Sequence, residues 1–265
     1  MKILRFALMM MLLLAATGFA GCGGDQTPTE NKKIIIGIDD DFPPMGFRNE
    51  QGEIVGFDID LAKETFKRMD VDFEFKPIDW SKKREEITSG NIDLIWNGLD
   101  ITDDRKEYMI FSKSYMDDRQ IFLVKKNSNQ GIYSEEDLEG KIVGVQAGAT
   151  SETYFNQNEE LKNTFKDFKT YNKFREGIDG LKNGEIDVFI CDEVVARYEM
   201  KMRPNQFDII YVKTGFPTEV AIGFSKNNAA LCERVQKIFD EMIKDGTAKK
   251  ISEDWFQADL IKSGI

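Results

Sequence analysis

The run KIIIGI at Lys33–Ile38, then Ile59, Ala62, Phe66 and Met69 at helical spacing, then DFEFK at Asp72–Lys76, decides the fold. A short apolar run reads as a buried strand, apolar residues three and four apart as the inner face of a helix, and strict alternation as a strand. Lys82–Ser89 continues as a helix closed by Gly90, and DLIW at Asp93–Trp96 is another buried strand. Strand and helix in alternation mark a parallel sheet with right-handed crossovers.

Further along, QIFLV at Gln120–Val124 opens a second cycle. It has strands at Lys141–Val145, Phe168–Tyr171 and Ile186–Ile190, with a helix from about Ser151 and another on Phe174, Ile178 and Leu181. A last strand, Val220–Phe224, precedes a helix on Leu231, Val235, Ile238 and Met242 that stops at Gly246, and a final helix holds Ile251 and Trp255. The expected fold is α/β and two-lobed, each lobe a mostly parallel sheet flanked by helices, with the chain returning to the first lobe. Residues 33–118 would form the first part of lobe 1, 119–217 lobe 2, and 218–265 the return, with hinge passages near Asp118–Phe122 and Phe216–Val220.

Composition narrows the function. The chain has 265 residues, 41 % hydrophobic and 31 % charged, as in folded globular proteins. It contains no histidine, which excludes Ser-His-Asp and Cys-His nucleophile pairs and imidazole acid–base chemistry. A net charge of −11 and the lack of a basic stripe argue against nucleic acid as a partner. Three cysteines, at 22, 191 and 232, are too few and too scattered for a disulfide scaffold or a CxxC metal site, and Cys191 and Cys232 are expected as free, buried thiols. The acidic run Asp39–Asp41 lacks the spacing of a calcium loop, so neither metal nor cofactor is expected.

The first 21 residues read as a signal peptide: Lys2 and Arg5, then the apolar run FALMMMLLLAA at Phe6–Ala16. Eleven residues, rising about 1.5 Å each, fall short of a hydrocarbon core about 30 Å thick. Phe19-Ala20-Gly21-Cys22 resembles a bacterial lipobox, with Phe19 where an aliphatic residue is usual, so Cys22 is the expected lipidation site. Residues 22–32 would be the tether.

Ligands of open α/β sheets sit beyond the carboxyl ends of the strands. There the sequence carries Asp39 to Met45, Asn97 to Arg105, Gln146 to Ser151, and Cys191-Asp192-Glu193, with Trp80 ending a loop. One guanidinium, helix-start amides, carboxylates and large aromatics suit an α-amino acid zwitterion. Asp40, Asp41, Asp103 and Asp104 read as caps or surface charges.

These residues resemble the bacterial extracytoplasmic solute-binding proteins of family 3, the amino-acid receptors of ABC importers. The resemblance spans about residues 31–257. It rests on Asp-x-x-Phe-Pro-Pro at Asp39–Pro44, GEIVGFDIDLA at Gly52–Ala62, Gly90-Asn91-Ile92-Asp93, Ile101–Arg105, VGVQAGAT at Val143–Thr150, Asp245-Gly246-Thr247 and Trp255-Phe256. It implies a hinged fold that closes on one free amino acid. Arg105 would bind the carboxylate, with backbone donors around Thr150 and Ser151. Asp192 would bind the ammonium, with the Gly98 carbonyl. Phe42 and Trp80 would pack on the side chain, Asp39 would lie near its far end, and Asn97 and Gln146 would line the wall. Asp100 stands where Ser or Thr is usual.

The expected function is a non-enzymatic, monomeric receptor, lipid-anchored outside the cell membrane and delivering its ligand to an ABC permease. With Arg105 and Asp192 assigned to the ligand's two charges, Asp39 and Asp100 remain as further carboxylates, which favours a cationic side chain such as arginine, lysine or ornithine. Glutamine or cystine is the next expectation, and a dehydratase on the same fold is the rival from another class.

Overall fold

The computed structural model describes residues 33–128, 131–212, 216 and 219–262. The expected signal peptide, Cys22 and the tether lie outside the described residues.

The first sheet is built on β1 (Ile34–Ile38), β5 (Phe73–Pro77) and β6 (Leu94–Asp100), all parallel. A small antiparallel sheet, β2 (Asp41–Phe42), β3 (Gly46–Arg48) and β4 (Ile54–Val55), lies between β1 and helix α1 (Phe57–Met69) in the chain. After β5 come a tight helical turn at Trp80–Lys82, α2 (Lys83–Thr88), β6 and α3 (Asp103–Lys106). β7 (Met109–Phe111) and β8 (Met116–Asp117) follow, and the chain then enters the second sheet.

That sheet has the order β11-β10-β12-β9-β13. Its strands are β9 (Gln120–Lys125), β10 (Ile142–Gln146), β11 (Asp167–Tyr171), β12 (Val188–Asp192) and β13 (Phe207–Ile210), with β9 antiparallel to its neighbours. Its helices are α4 (Thr150–Gln157), α5 (Glu159–Lys162), α6 (Phe174–Asn183) and α7 (Glu193–Met202). β14 (Glu219–Ser225) then lies in the first sheet, antiparallel to β6, β7 and β8, and α8 (Ala229–Lys244) and α9 (Thr247–Phe256) pack beside α1.

The apolar periodicity accounts for this packing. Phe57, Ile59, Leu61, Ala62 and Phe66 of α1 are fully buried, as are Ile178 and Leu181 of α6 and Val235 and Met242 of α8. Core burial at roughly 25 cal/mol per Å² is the main force that holds such helices to their sheets. Cys191 is buried on β12, whereas Cys232 on α8 is half-buried rather than fully so; both are free thiols. No helix among the described residues is long and apolar enough to cross a membrane.

Candidate functional site

The carboxyl ends of β1, β6, β10 and β12 face one another across a narrow cleft. It is lined by Asp39, Phe42, Trp80, Asn97, Gly98, Asp100 and Arg105 on one side and by Gln120, Gln146, Ala149, Thr150 and Asp192 on the other. Of the residues singled out from sequence, Ser151 does not line it: its side chain is buried and its hydroxyl has no partner. Gln120 and Ala149 line the cleft without having been singled out.

Arg105 is placed by a short helix. The Thr102 hydroxyl accepts from its N–H at 3.4 Å, capping α3, and the side chain turns inward until the residue is only 3 % exposed. Its Nη1 donates to the Asp100 carbonyl at 2.9 Å and its Nη2 to the Gly148 carbonyl at 3.5 Å. Lys83, itself buried, donates to the same Gly148 carbonyl and lies over Trp80 at 5.2 Å from the ring centre. Burial, with the Arg105 charge nearby, pushes the Lys83 ammonium down to about 7. Gly148 has φ +75°, and a Cβ there would fall 2.8 Å from the Trp80 carbonyl, so the close approach of the two sides requires glycine.

The carboxylates form two groups. Asp100 accepts from the Thr150 hydroxyl and Asp192 from Gln120 Nε2. Burial raises the pKa of Asp100 despite Arg105, and burial together with the Asp100 and Asp118 charges raises that of Asp192. Burial, with the Asp100 and Glu193 charges, pushes Asp118 up to about 8. Asp39 stands apart from this group. Its Oδ1 accepts from the Asp41 N–H at 3.0 Å and from Lys173 Nζ at 3.3 Å, and its Oδ2 accepts from Gln146 Nε2. Burial still raises its pKa, with Lys173 the largest opposing influence.

This corrects one expectation. Asp39 is not left without a protein cation, because Lys173 crosses from the second-sheet side. Asp40 and Asp41 do not line the cleft, as expected, and both meet the start of α6. Lys173 Nζ lies 2.8 Å from Asp40, which also accepts from Arg48 Nε at 2.7 Å, and Asp41 accepts from the Arg175 N–H at 3.1 Å.

The wall is fixed from behind. Gly98 has φ +60°, and its N–H donates to the fully buried Asp58 at 2.6 Å, leaving its side-chain-free face against Phe42. Asn97 accepts from the Asp39 N–H at 2.7 Å. Phe42 meets Phe174 edge-on at 5.6 Å. The arrangement offers a guanidinium and a helix start to an anion, carboxylates to a cation, and aromatic faces to whatever lies between.

The fold and this cleft agree with what comparison finds. The model of the bacterial extracellular solute-binding proteins, family 3, matches residues 34–258. The chain belongs to this family. It is 29 % identical over 249 residues to the L-cystine-binding protein TcyJ of Escherichia coli (strain K12), covering 94 % of this chain and 92 % of that one. The crystal structure of an ABC uptake transporter substrate-binding protein from Streptococcus pneumoniae with bound histidine superimposes with a TM-score of 0.82 at 37 % identity. That match covers 88 % of this chain and 96 % of the other. An ancestral arginine-binding protein, solved with glutamine and with arginine, is 39 % identical over 84 % of this chain, with TM-scores of 0.77 and 0.78 and 97 % and 98 % of its own length covered. The two-lobed fold is thus that of the amino-acid-binding proteins of ABC importers.

Proposed function

We propose that this protein is an extracytoplasmic receptor that captures a free polar amino acid and delivers it to an ABC importer. One observation carries the reading. Arg105 is a buried cation whose guanidinium is held by carbonyl oxygens, and among the described residues no carboxylate lies within 4 Å of it. A buried charge without a counter-ion is costly, and a ligand carboxylate would supply the missing partner bidentately. Thr150, at the start of α4, brings helix-start amides to the same anion. Asp192 and Asp100, both raised above the usual carboxylate range by burial, would receive the α-ammonium, which favours their ionised forms. Phe42 and Trp80 would enclose the side chain.

Counted without Lys173, the carboxylates of the cleft would suit a cationic side chain, and a relative solved with arginine is in keeping with that first reading. Glutamine or cystine is the second reading, favoured by the Lys173–Asp39 ion pair, which already supplies a cation at the side-chain end. Ammonium pairing accounts for the carboxylates without catalysis, so the ligand should leave unchanged; recovery of an altered ligand would instead support a dehydratase. Acylation of Cys22 would hold the mature chain, as a monomer, on the outer face of the membrane. A Cys22→Ser protein that still fractionates with membranes would remove that anchor. The test of the main reading is a melting screen against the twenty common amino acids plus ornithine, citrulline and cystine. A ligand at about 100 times its Kd should stabilise the fold by roughly 2.7 kcal/mol. If no amino acid raises the Tm, the receptor reading fails.

A further inference from the structure

The proposal that the cleft holds an amino acid leaves open what decides the charge of the side chain it accepts. We propose that Lys173 is the specificity-determining residue: its ammonium occupies the place of a ligand cation beside Asp39, disfavouring cationic side chains and admitting neutral hydrogen-bonding ones.

Lys173 is held in place from both ends. Its N–H donates to the Glu176 carboxylate at 3.2 Å, and the next residue, Phe174, is buried against Phe42. At its tip, Nζ lies 2.8 Å from Asp40 and 3.3 Å from Asp39. Arg48 approaches Asp40 from the other side at 2.7 Å, so the charges alternate: Arg48, Asp40, Lys173, Asp39. Two cations meet two anions. Arg48 matches Asp40 and leaves Lys173 to match Asp39, the member of the chain that lines the cleft.

The hydrogen-bonding capacity of Asp39 points the same way. A carboxylate has about four acceptor positions, and here three are taken, by the Asp41 N–H, Lys173 and Gln146. A neutral N–H or O–H from a ligand can use what remains. A full cation must either share Asp39 with a lysine ammonium a few ångströms away or displace that ammonium, leaving Asp40 with less than its full complement of positive charge. Arg105 does not relieve this, because it acts on Asp100 and Asp192, whereas the charge that acts on Asp39 is that of Lys173.

The inference rests on the amino-acid reading and goes beyond it, and arginine and citrulline separate the two. They differ at the side-chain end by charge with little change in shape. Calorimetric titration of both into the wild-type protein and Lys173→Met should show the affinity ratio of arginine to citrulline rising about tenfold or more in the variant. Lys173→Arg, which keeps the cation, should stay within about twofold of wild type. The Lys173 side chain is 37 % exposed, so the fold should tolerate these changes, and Lys173→Gln serves as a second neutral replacement. A rise of less than threefold in both neutral variants overturns the proposal. So does failure of both probes to bind any of these proteins while other amino acids bind. If no amino acid binds the wild-type protein, it is the receptor reading that falls, and this inference with it.

Discussion

Replacing Arg105 by alanine should abolish measurable ligand binding while leaving the unliganded fold intact. Removing one partner of a desolvated charge pair costs about 2–5 kcal/mol, or roughly 30- to several thousand-fold in affinity. Lysine should restore little, since it lacks the planar fork. Calorimetry showing Arg105→Ala within threefold of wild type would sink the assignment. A second expectation concerns protons. Burial raises Asp100 and Asp192 above the usual carboxylate range, and Asp118, whose charge acts on Asp192, is pushed up to about 8. A ligand ammonium favours their ionised forms. Binding should therefore release protons, and affinity should climb with pH until about pH 8 and then level off. Titrations in two buffers of different ionisation enthalpy read the release directly; equal heats and a flat profile would show that these carboxylates do not meet the ammonium. Arg105, Gln146 and Asp192 were legible in the sequence because each follows a predicted strand or helix start. Lys173 was not. A lysine in a polar loop reads as solvated, and its role depends on Asp39, 134 residues away in the chain.

Among the elements, β6 carries the most site residues and leans on α1. Asp58 of α1 accepts from the Gly98 N–H at 2.6 Å and from the Tyr115 hydroxyl at 2.8 Å, wholly inside the core. Asp58→Ala orphans two buried donors and should lower the unfolding free energy by about 2–4 kcal/mol in denaturant titration. Asp58→Asn keeps an acceptor for Gly98 and offers its NH₂ to the tyrosine oxygen, and should cost about 1 kcal/mol or less at pH 7. Burial pushes Asp58 up to about 7 from an ordinary 3.8. The folded state thus holds the proton more tightly than the unfolded chain, so this carboxyl's contribution is most favourable below about pH 4, declines up to pH 7 and is constant above. The asparagine variant should lack that decline, and an unchanged pH profile would contradict the assignment. The periodic helices and apolar strands were legible from spacing. The extension of β6 from Trp96 to Asp100 was not, because Asn97-Gly98 is no strand signal. Its last residues are held by β14, with Val220 opposite Asp100 and Ala221 opposite Leu99. β2, β3 and β4, of two or three residues each, are too short to show a period.

For the whole molecule, the chain leaves the first sheet at Asp117, enters the second at Gln120, and leaves that sheet at Ile210 to rejoin the first at Glu219. Few residues join the sheets, so they are expected to move as rigid bodies about Asp118–Phe122 and Phe216–Val220. Saturating ligand should reduce the radius of gyration in small-angle scattering; an unchanged radius would contradict closure. The alternation of strands and helices made the two-sheet architecture readable, whereas the contacts across the cleft were not, since they join residues whose proximity exists only once both sheets have formed. The cations that clasp the Asp39–Asp41 run carry a final consequence. Lys173 and Arg175 are each 37 % exposed, so dissolved ions reach them, while the apolar contact of Phe42 with Phe174 beside them is indifferent to such ions. Mobile ions screen half-solvated pairs over a distance that shrinks from about 10 Å at 0.1 M to 3 Å at 1 M. Part of the grip between the two sides of the cleft is therefore set by the salinity of the surrounding medium. A receptor facing the outside would hold its solute more firmly in dilute water than in brine, a trend that titrations in rising sodium chloride would read.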